Sequence, residues 1–125
     1  THARVLSEYA RQLVASPSRP TALMTWDVYA CDLLPEFARL GLRVPQDLSV
    51  IGMDDCAGAR LSRPQLSTYR FPLEEMGRSA ADLLMESIHD RDRPVRHLLI
   101  NGKLVERASC ASAAGRNLQN KKRTN

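Results

Sequence analysis

No apolar run in this 125-residue chain approaches the ~20 residues needed to cross the hydrocarbon core of a bilayer, so no contact with a membrane is expected. A secretory leader is also missing. Residues 1 to 15 (THARVLSEYARQLVA) are amphipathic and charged throughout, with no purely apolar centre. Because the chain begins without Met, sequence upstream of Thr1 is expected, and the missing leader proves little by itself. Its three cysteines, Cys31, Cys56 and Cys110, are scattered, and none lies in a CxxC or Cys/His spacing. His2, His89 and His97 are isolated. Neither a disulfide framework nor a metal site is expected, and a reducing cytoplasm is the natural compartment. GxSxG elbows, P-loops and Cys/His pairs at fixed spacing are lacking too. No catalytic residue and no cofactor are assigned, and the chain reads as non-enzymatic.

Acids are absent from the last ten residues, which hold Arg116, Lys121, Lys122 and Arg123. These four cations account for the whole formal charge of +4, so residues 1 to 115 are neutral. A basic tail over 110–125 is expected to be solvated and disordered, with phosphate contact as the alternative. This chain is not by itself a DNA-binding domain.

What is present suits one modest α/β domain. Val5, Leu6, Tyr9, Leu13 and Val14 recur at helical spacing until SPSRP (16–20) stops them. TALMT (21–25) reads as a short buried strand. Asp27 is placed as the N-cap of a second helix over roughly 28–40, with Gly41 as the residue just past its end. Pro35 should bend or split that helix. LSVIG (48–52) is a second strand, 56–66 a polar loop, and LSTYR (66–70) a third strand. Pro72, Glu74 and Glu75 open a third long helix with an apolar side of Leu73, Met76, Ala80, Leu83, Leu84 and Ile88. HDRDRP (89–94) is a charged turn. HLLI (97–100) and KLVER (103–107) flank Asn101-Gly102 as a local hairpin signal.

Strands alternating with helices predict a parallel sheet flanked by helices. Ligands of such sheets bind beyond the carboxyl ends of the strands. Asp27 and Asp54 follow the first and second strands, which puts two carboxylates on one rim.

Several short pieces recur in a fixed order from about Arg19 to Ser109. They are Pro20-Thr21-Ala22, Asp27-x-x-Ala30 and Gly41-Leu-Arg-Val-Pro45, then Asp47-Leu-Ser-Val-Ile-Gly-Met-Asp-Asp55. Pro64-x-Leu66-Ser-Thr68, Met76-Gly77-x-x-Ala80-x-x-Leu83-Leu84 and Leu104-Val-Glu-Arg-x-Ser109 follow. In this order they resemble the effector-binding core of the LacI/GalR family of bacterial transcription regulators.

The resemblance implies part of a two-lobed type I periplasmic-binding-protein-like fold that clamps a small ligand between its lobes. Residues 1–109 would be a partial sensor domain, mostly second lobe, with the 72–90 helix packing on a first lobe absent here. DNA would be contacted through an N-terminal helix-turn-helix, also absent from this chain, and the family implies a homodimer. The resemblance makes Asp54 the foremost ligand contact, accepting hydrogen bonds from the hydroxyls of a sugar or from a purine-type ligand. A charge-assisted bond of that kind is strong in a closed cleft. Capping of the following turn is the bland alternative. Asp55 would point the other way and be structural.

Trp26 stands where the family carries an asparagine, and it either stacks on a sugar ring or packs in the core. Asp27 is read as a cap ahead of a ligand contact. Phe71 and Leu73 lie where similar proteins cross between lobes; core packing and cleft contact are both open. Arg60, Leu61, Ser62 and the helix around Cys31 fall in a region the family uses for dimer contacts.

The function expected is therefore that of a ligand-sensing part of a LacI-type repressor, in which a sugar or related metabolite alters operator binding. A periplasmic sugar-binding protein of a transporter is the alternative, and a phospho-receiver domain the remote one. The latter would use Asp54-Asp55 as an acidic pair for Mg²⁺, but no later strand ends in aspartate.

Overall fold

The computed structural model describes residues 2–112. The first helix, α1, spans His2–Ala15 and ends at the expected Ser-Pro stop. Strand β1 (Ala22–Met24) leads into helix α2 (Asp27–Arg39), strand β2 (Ser49–Met53), helix α3 (Ala57–Leu61) and strand β3 (Ser67–Arg70). Helix α4 (Leu73–His89) and strand β4 (Lys103–Val105) complete the order. The sheet runs β1-β2-β3-β4, with the first three strands parallel and β4 antiparallel to β3.

One face of the sheet carries the core. Val50 and Gly52 of β2 point into it, alternating with half-buried Ser49, Ile51 and Met53 as a strand's period of two requires. Against them pack Ala10 and Leu13 of α1, Ala30, Leu33, Leu34 and Phe37 of α2, Ala59 of α3, and Leu48 and Leu66. Each fully buried Leu or Phe contributes about 1.5–3 kcal/mol relative to exposure.

The end of α2 is set by a glycine. Gly41 adopts φ 79°, and its N–H donates to Ala38 O while that of Leu42 donates to Phe37 O at 2.9 Å. This double bond pattern closes a helix through a left-handed residue, and Leu42 joins Phe37 in the core.

Several expectations are corrected. Strand β1 lies at the edge of the sheet and is not buried: Ala22 and Met24 are exposed and Leu23 is half-buried. Asp27 is not the N-cap of α2: Trp26 occupies that position without a side-chain cap bond, and Asp27 is the first helical residue. Pro35 does not split the helix, which runs through it with Leu33, Leu34 and Phe37 anchoring it on the buried side. The 56–66 segment is not all loop, because Ala57–Leu61 forms a short helix that buries Ala59. No strand forms over 97–100, where Leu98 and Leu99 are exposed. At Asn101-Gly102 there is thus neither the hairpin of the local signal nor the bent strand-to-strand continuation that the family resemblance implies, the preferred of the two, since only Lys103–Val105 is a strand. Instead the Gly102 N–H donates to Tyr69 Oη at 2.8 Å. Any Cβ at Gly102 would collide with the Arg70 carbonyl and the Tyr69 ring.

Beyond β4 the chain returns to the sheet. Ser109 is fully buried between β2 and β3. Its carbonyl accepts from Val50 N at 2.8 Å, and its hydroxyl accepts from Ser67 N and donates to Val50 O. Ala111 meets the Ser49 hydroxyl beside it. The basic residues of the expected tail lie outside the described residues.

Candidate functional site

The turn after β2 is built from a buried polar network. Asp27, 1 % exposed, accepts from the Thr68 hydroxyl at 2.7 Å and from Cys56 N–H at 2.9 Å. Thr68 Oγ1 in turn accepts from Asp55 N–H at 3.3 Å. Room for this carboxylate comes from Gly52, since a Cβ there would fall on Asp27 Oδ1 and press on Leu66. Asp27 therefore ties α2 to β3 and to the start of α3, and its two oxygens are engaged inside the molecule. It faces no open cleft, so it is set apart from the other candidate ligand residues.

Asp55 is buried as well. Its carboxylate receives Arg107 Nη2 and Arg70 Nε, each at 2.6 Å. Burial pushes this carboxyl up, but the bonds and charges of Arg107 and then Arg70 outweigh it and hold it below the usual carboxylate range. Arg107 also donates to Leu66 O at 2.7 Å, and its N–H to the Ser67 hydroxyl. The acidic pair thus does not converge on a common point, which removes the geometry a receiver domain would need for Mg²⁺.

Asp54 differs from both. The backbone takes φ 122° at Asp54 and 56° at Asp55, consecutive left-handed positions in which non-glycine residues are strained. The Asp54 N–H continues the β2–β3 ladder to Tyr69 O at 2.9 Å. Its side chain is exposed, and among the described residues no hydrogen-bond partner meets its carboxylate. On one side, Trp26 follows β1 and is 49 % exposed. On the other, half-buried Phe71 follows β3. The two rings stand 6.2 Å apart, and Phe71 meets Tyr69 edge-to-face at 5.3 Å.

Three of the four candidate residues, Trp26, Asp54 and Phe71, therefore follow the carboxyl ends of adjacent parallel strands. An exposed anion and two aromatic rings on the same rim of the sheet suit a ligand with several hydroxyl or N–H donors and a flat apolar side. Sequence reading missed Arg70, Arg107 and Thr68, which hold the turn in place. Arg107 lies in the quoted Leu104–Ser109 piece, but only its position across the sheet reveals its partner.

Residues 1–110 match the family described as periplasmic binding protein-like domain. The repressor PurR of Photobacterium profundum, described as HTH-type, is 38 % identical over 103 residues, covering 82 % of this chain and 31 % of that protein. A LacI family regulator from Bifidobacterium animalis subsp. lactis superposes with a TM-score of 0.78 at 31 % identity, over 90 % of this chain and 41 % of the other. A LacI family regulator from Arthrobacter sp., solved in complex with lactose, gives a TM-score of 0.71 at 30 % identity, over 87 % and 41 %. This chain spans about a third of the length of the curated relatives it matches. Those relatives are repressors, not enzymes. With its mostly parallel sheet, its flanking helices and a match over nearly all its length, the chain belongs to the periplasmic-binding-protein-like domain family, as found in LacI/GalR transcriptional regulators.

Proposed function

We propose that this chain is the larger part of one lobe of a LacI-type repressor's effector-binding domain, and that Asp54 is its principal ligand contact. The observation that carries this reading is a carboxylate left exposed on strained backbone at the end of β2, the strand flanked by those that lead to Trp26 and Phe71. Strain of that kind is retained where the surrounding structure enforces it, and it concentrates at ligand sites. The ligand class is a sugar or a related polar metabolite, in keeping with the lactose bound by a similar regulator. Trp26 and Phe71 offer it apolar surface, while Asp27 and Asp55 support the turn from within.

The first lobe supplies the other wall of the cleft, and the unburied face of α4 packs on it. The intact protein works in the cytoplasm as a homodimer with N-terminal helix-turn-helix heads. Ligand binding favours one arrangement of the lobes and so changes the spacing of those heads on DNA. Only a difference in affinity between the two arrangements can drive this change.

A thermal-shift screen of sugars, polyols and nucleobases on a longer chain carrying both lobes tests the reading. A ligand at 100 times its dissociation constant adds about 2.7 kcal/mol, or several degrees of melting temperature. The shift should vanish in Asp54→Ala. A hit that survives this substitution would make Asp54 a turn residue only.

A further inference from the structure

Two of the cysteines, 25 positions apart in the chain, meet in the fold. Cys31 lies in the second turn of α2 and Cys56 immediately precedes α3. An ideal Cβ on Gly58 would stand 3.2 Å from Cys31 Sγ and 3.5 Å from Cys56 Sγ. Both sulfurs thus face the same point beside Gly58, and Cys56 is among the groups that act on the Cys31 thiol. Both are free and half-buried, whereas Cys110 is exposed and apart from them, bonded to Val50 O.

The backbone joining the pair is already held. The Cys56 N–H donates to the Asp27 carboxylate on α2, so a covalent link between the sulfurs would join elements that a buried hydrogen bond fixes in the same place. A disulfide would require the two sulfurs to close to the bonding distance of about 2.05 Å, with the junction of α2 and α3 already held by that hydrogen bond.

We propose that Cys31 and Cys56 form a redox-sensitive dithiol, which peroxide-class oxidants convert into an intrachain disulfide between α2 and the start of α3. The Cys56 thiolate attacks one oxygen of hydrogen peroxide, breaking the O–O bond and leaving a sulfenic acid and water. The Cys31 sulfur then attacks the sulfenic sulfur, expelling its hydroxyl as a second water with the remaining thiol proton. Two thiols and one peroxide give one disulfide and two waters, the protein being oxidised by two electrons and the peroxide reduced by two.

This order of attack follows from the environment of Cys31. Burial above all, with Cys56 and Asp27 beside it, pushes its thiol up to about 11, which makes it the poorer first nucleophile and the natural resolving partner. The disulfide would clamp the residue directly after Asp54-Asp55, stiffening the strained turn from its far side.

The test is hydrogen peroxide titration of the whole chain carrying Cys110→Ser, read by intact mass and by digestion without reductant. The expected product has lost the mass of two hydrogens, yields one peptide pair joined through residues 31 and 56, and reverts with dithiothreitol. Cys31→Ser on the same background should instead accumulate oxygen at residue 56. The proposal is overturned by addition of oxygen atoms to either cysteine as the main product, by disulfides between chains, or by no reaction. Because the principal readout is on the unaltered cysteine pair, it does not depend on how the serine variant folds.

Discussion

Asp54 and Asp55 are neighbours with opposite fates, and each can be tested alone. Glycine adopts φ 122° without the strain that a side chain meets there. Asp54→Gly should therefore raise stability by about 1 kcal/mol while removing the proposed ligand contact. Chemical denaturation should show a higher midpoint, and a longer two-lobed chain should lose its ligand-induced shift. A drop in stability would mean that the Asp54 side chain supports the fold.

At Asp55 the sign of the pH dependence follows from its depressed carboxyl. A group of lowered folded pKa adds stability that is complete above the ordinary aspartate value of about 3.9. That stability fades as pH falls through the folded value. Asp55→Asn leaves Arg107, 11 % exposed, without a counter-charge, at a cost of about 3 kcal/mol near neutrality. Urea midpoints at pH 7 and pH 3 should show the gap between variant and parent narrowing in acid. A gap that stays constant would separate the ion cluster from stability.

At the scale of elements, α4 is the anomaly. It spans Leu73–His89, yet buries no residue, and Leu73, Leu84, Met85 and Ile88 are all more than half exposed. Replacing Leu84 and Ile88 together by Asp should move the stability of this chain by less than about 0.5 kcal/mol. In a longer chain with the first lobe, the same pair should cost at least about 3 kcal/mol, since each side chain would there be buried. Equal effects in both settings would remove α4 from the lobe interface.

Elements whose signals are local were legible in the sequence. The periodicity of α1, the glycine after α2 and the strands β1, β2 and β3 lie where the pattern puts them. The HLLI run was misread because a strand exists only with a partner, and no neighbouring strand takes it up. Helix α3 was overlooked because it buries a single residue, Ala59, which leaves no period to detect. The same logic divides the candidate site. Asp54 was legible as a strand-end carboxylate, whereas the burial of Asp27 depends on the missing side chain of Gly52 and the hydroxyl of Thr68, far along the chain.

For the molecule as a whole, burial is concentrated in residues 2–70 and in the return of the chain to Ser109 after β4. The stretch between them is exposed at most positions from Asp90 to Asn101. Limited trypsin treatment should cut first at Arg91 or Arg96, because sparsely buried segments open most readily, while the Arg93–Pro94 bond resists trypsin. The two pieces should stay together on gel filtration, held by the β3–β4 ladder and the Arg107–Asp55 pair. Separation after a single cut would show that β4 adds little to the sheet.

The bond between Ser109 and Val50 spans 59 residues. A ribosome releases residues in order, so β1, β2 and β3 emerge well before the serine that fills the gap between two of them. Until then the Val50 N–H and the Ser67 N–H lack their native partners, and the seam stands open to another chain. Completion of the sheet is thus timed by translation of the Leu104–Ser109 piece, and a nascent chain stalled short of it would expose a strand edge.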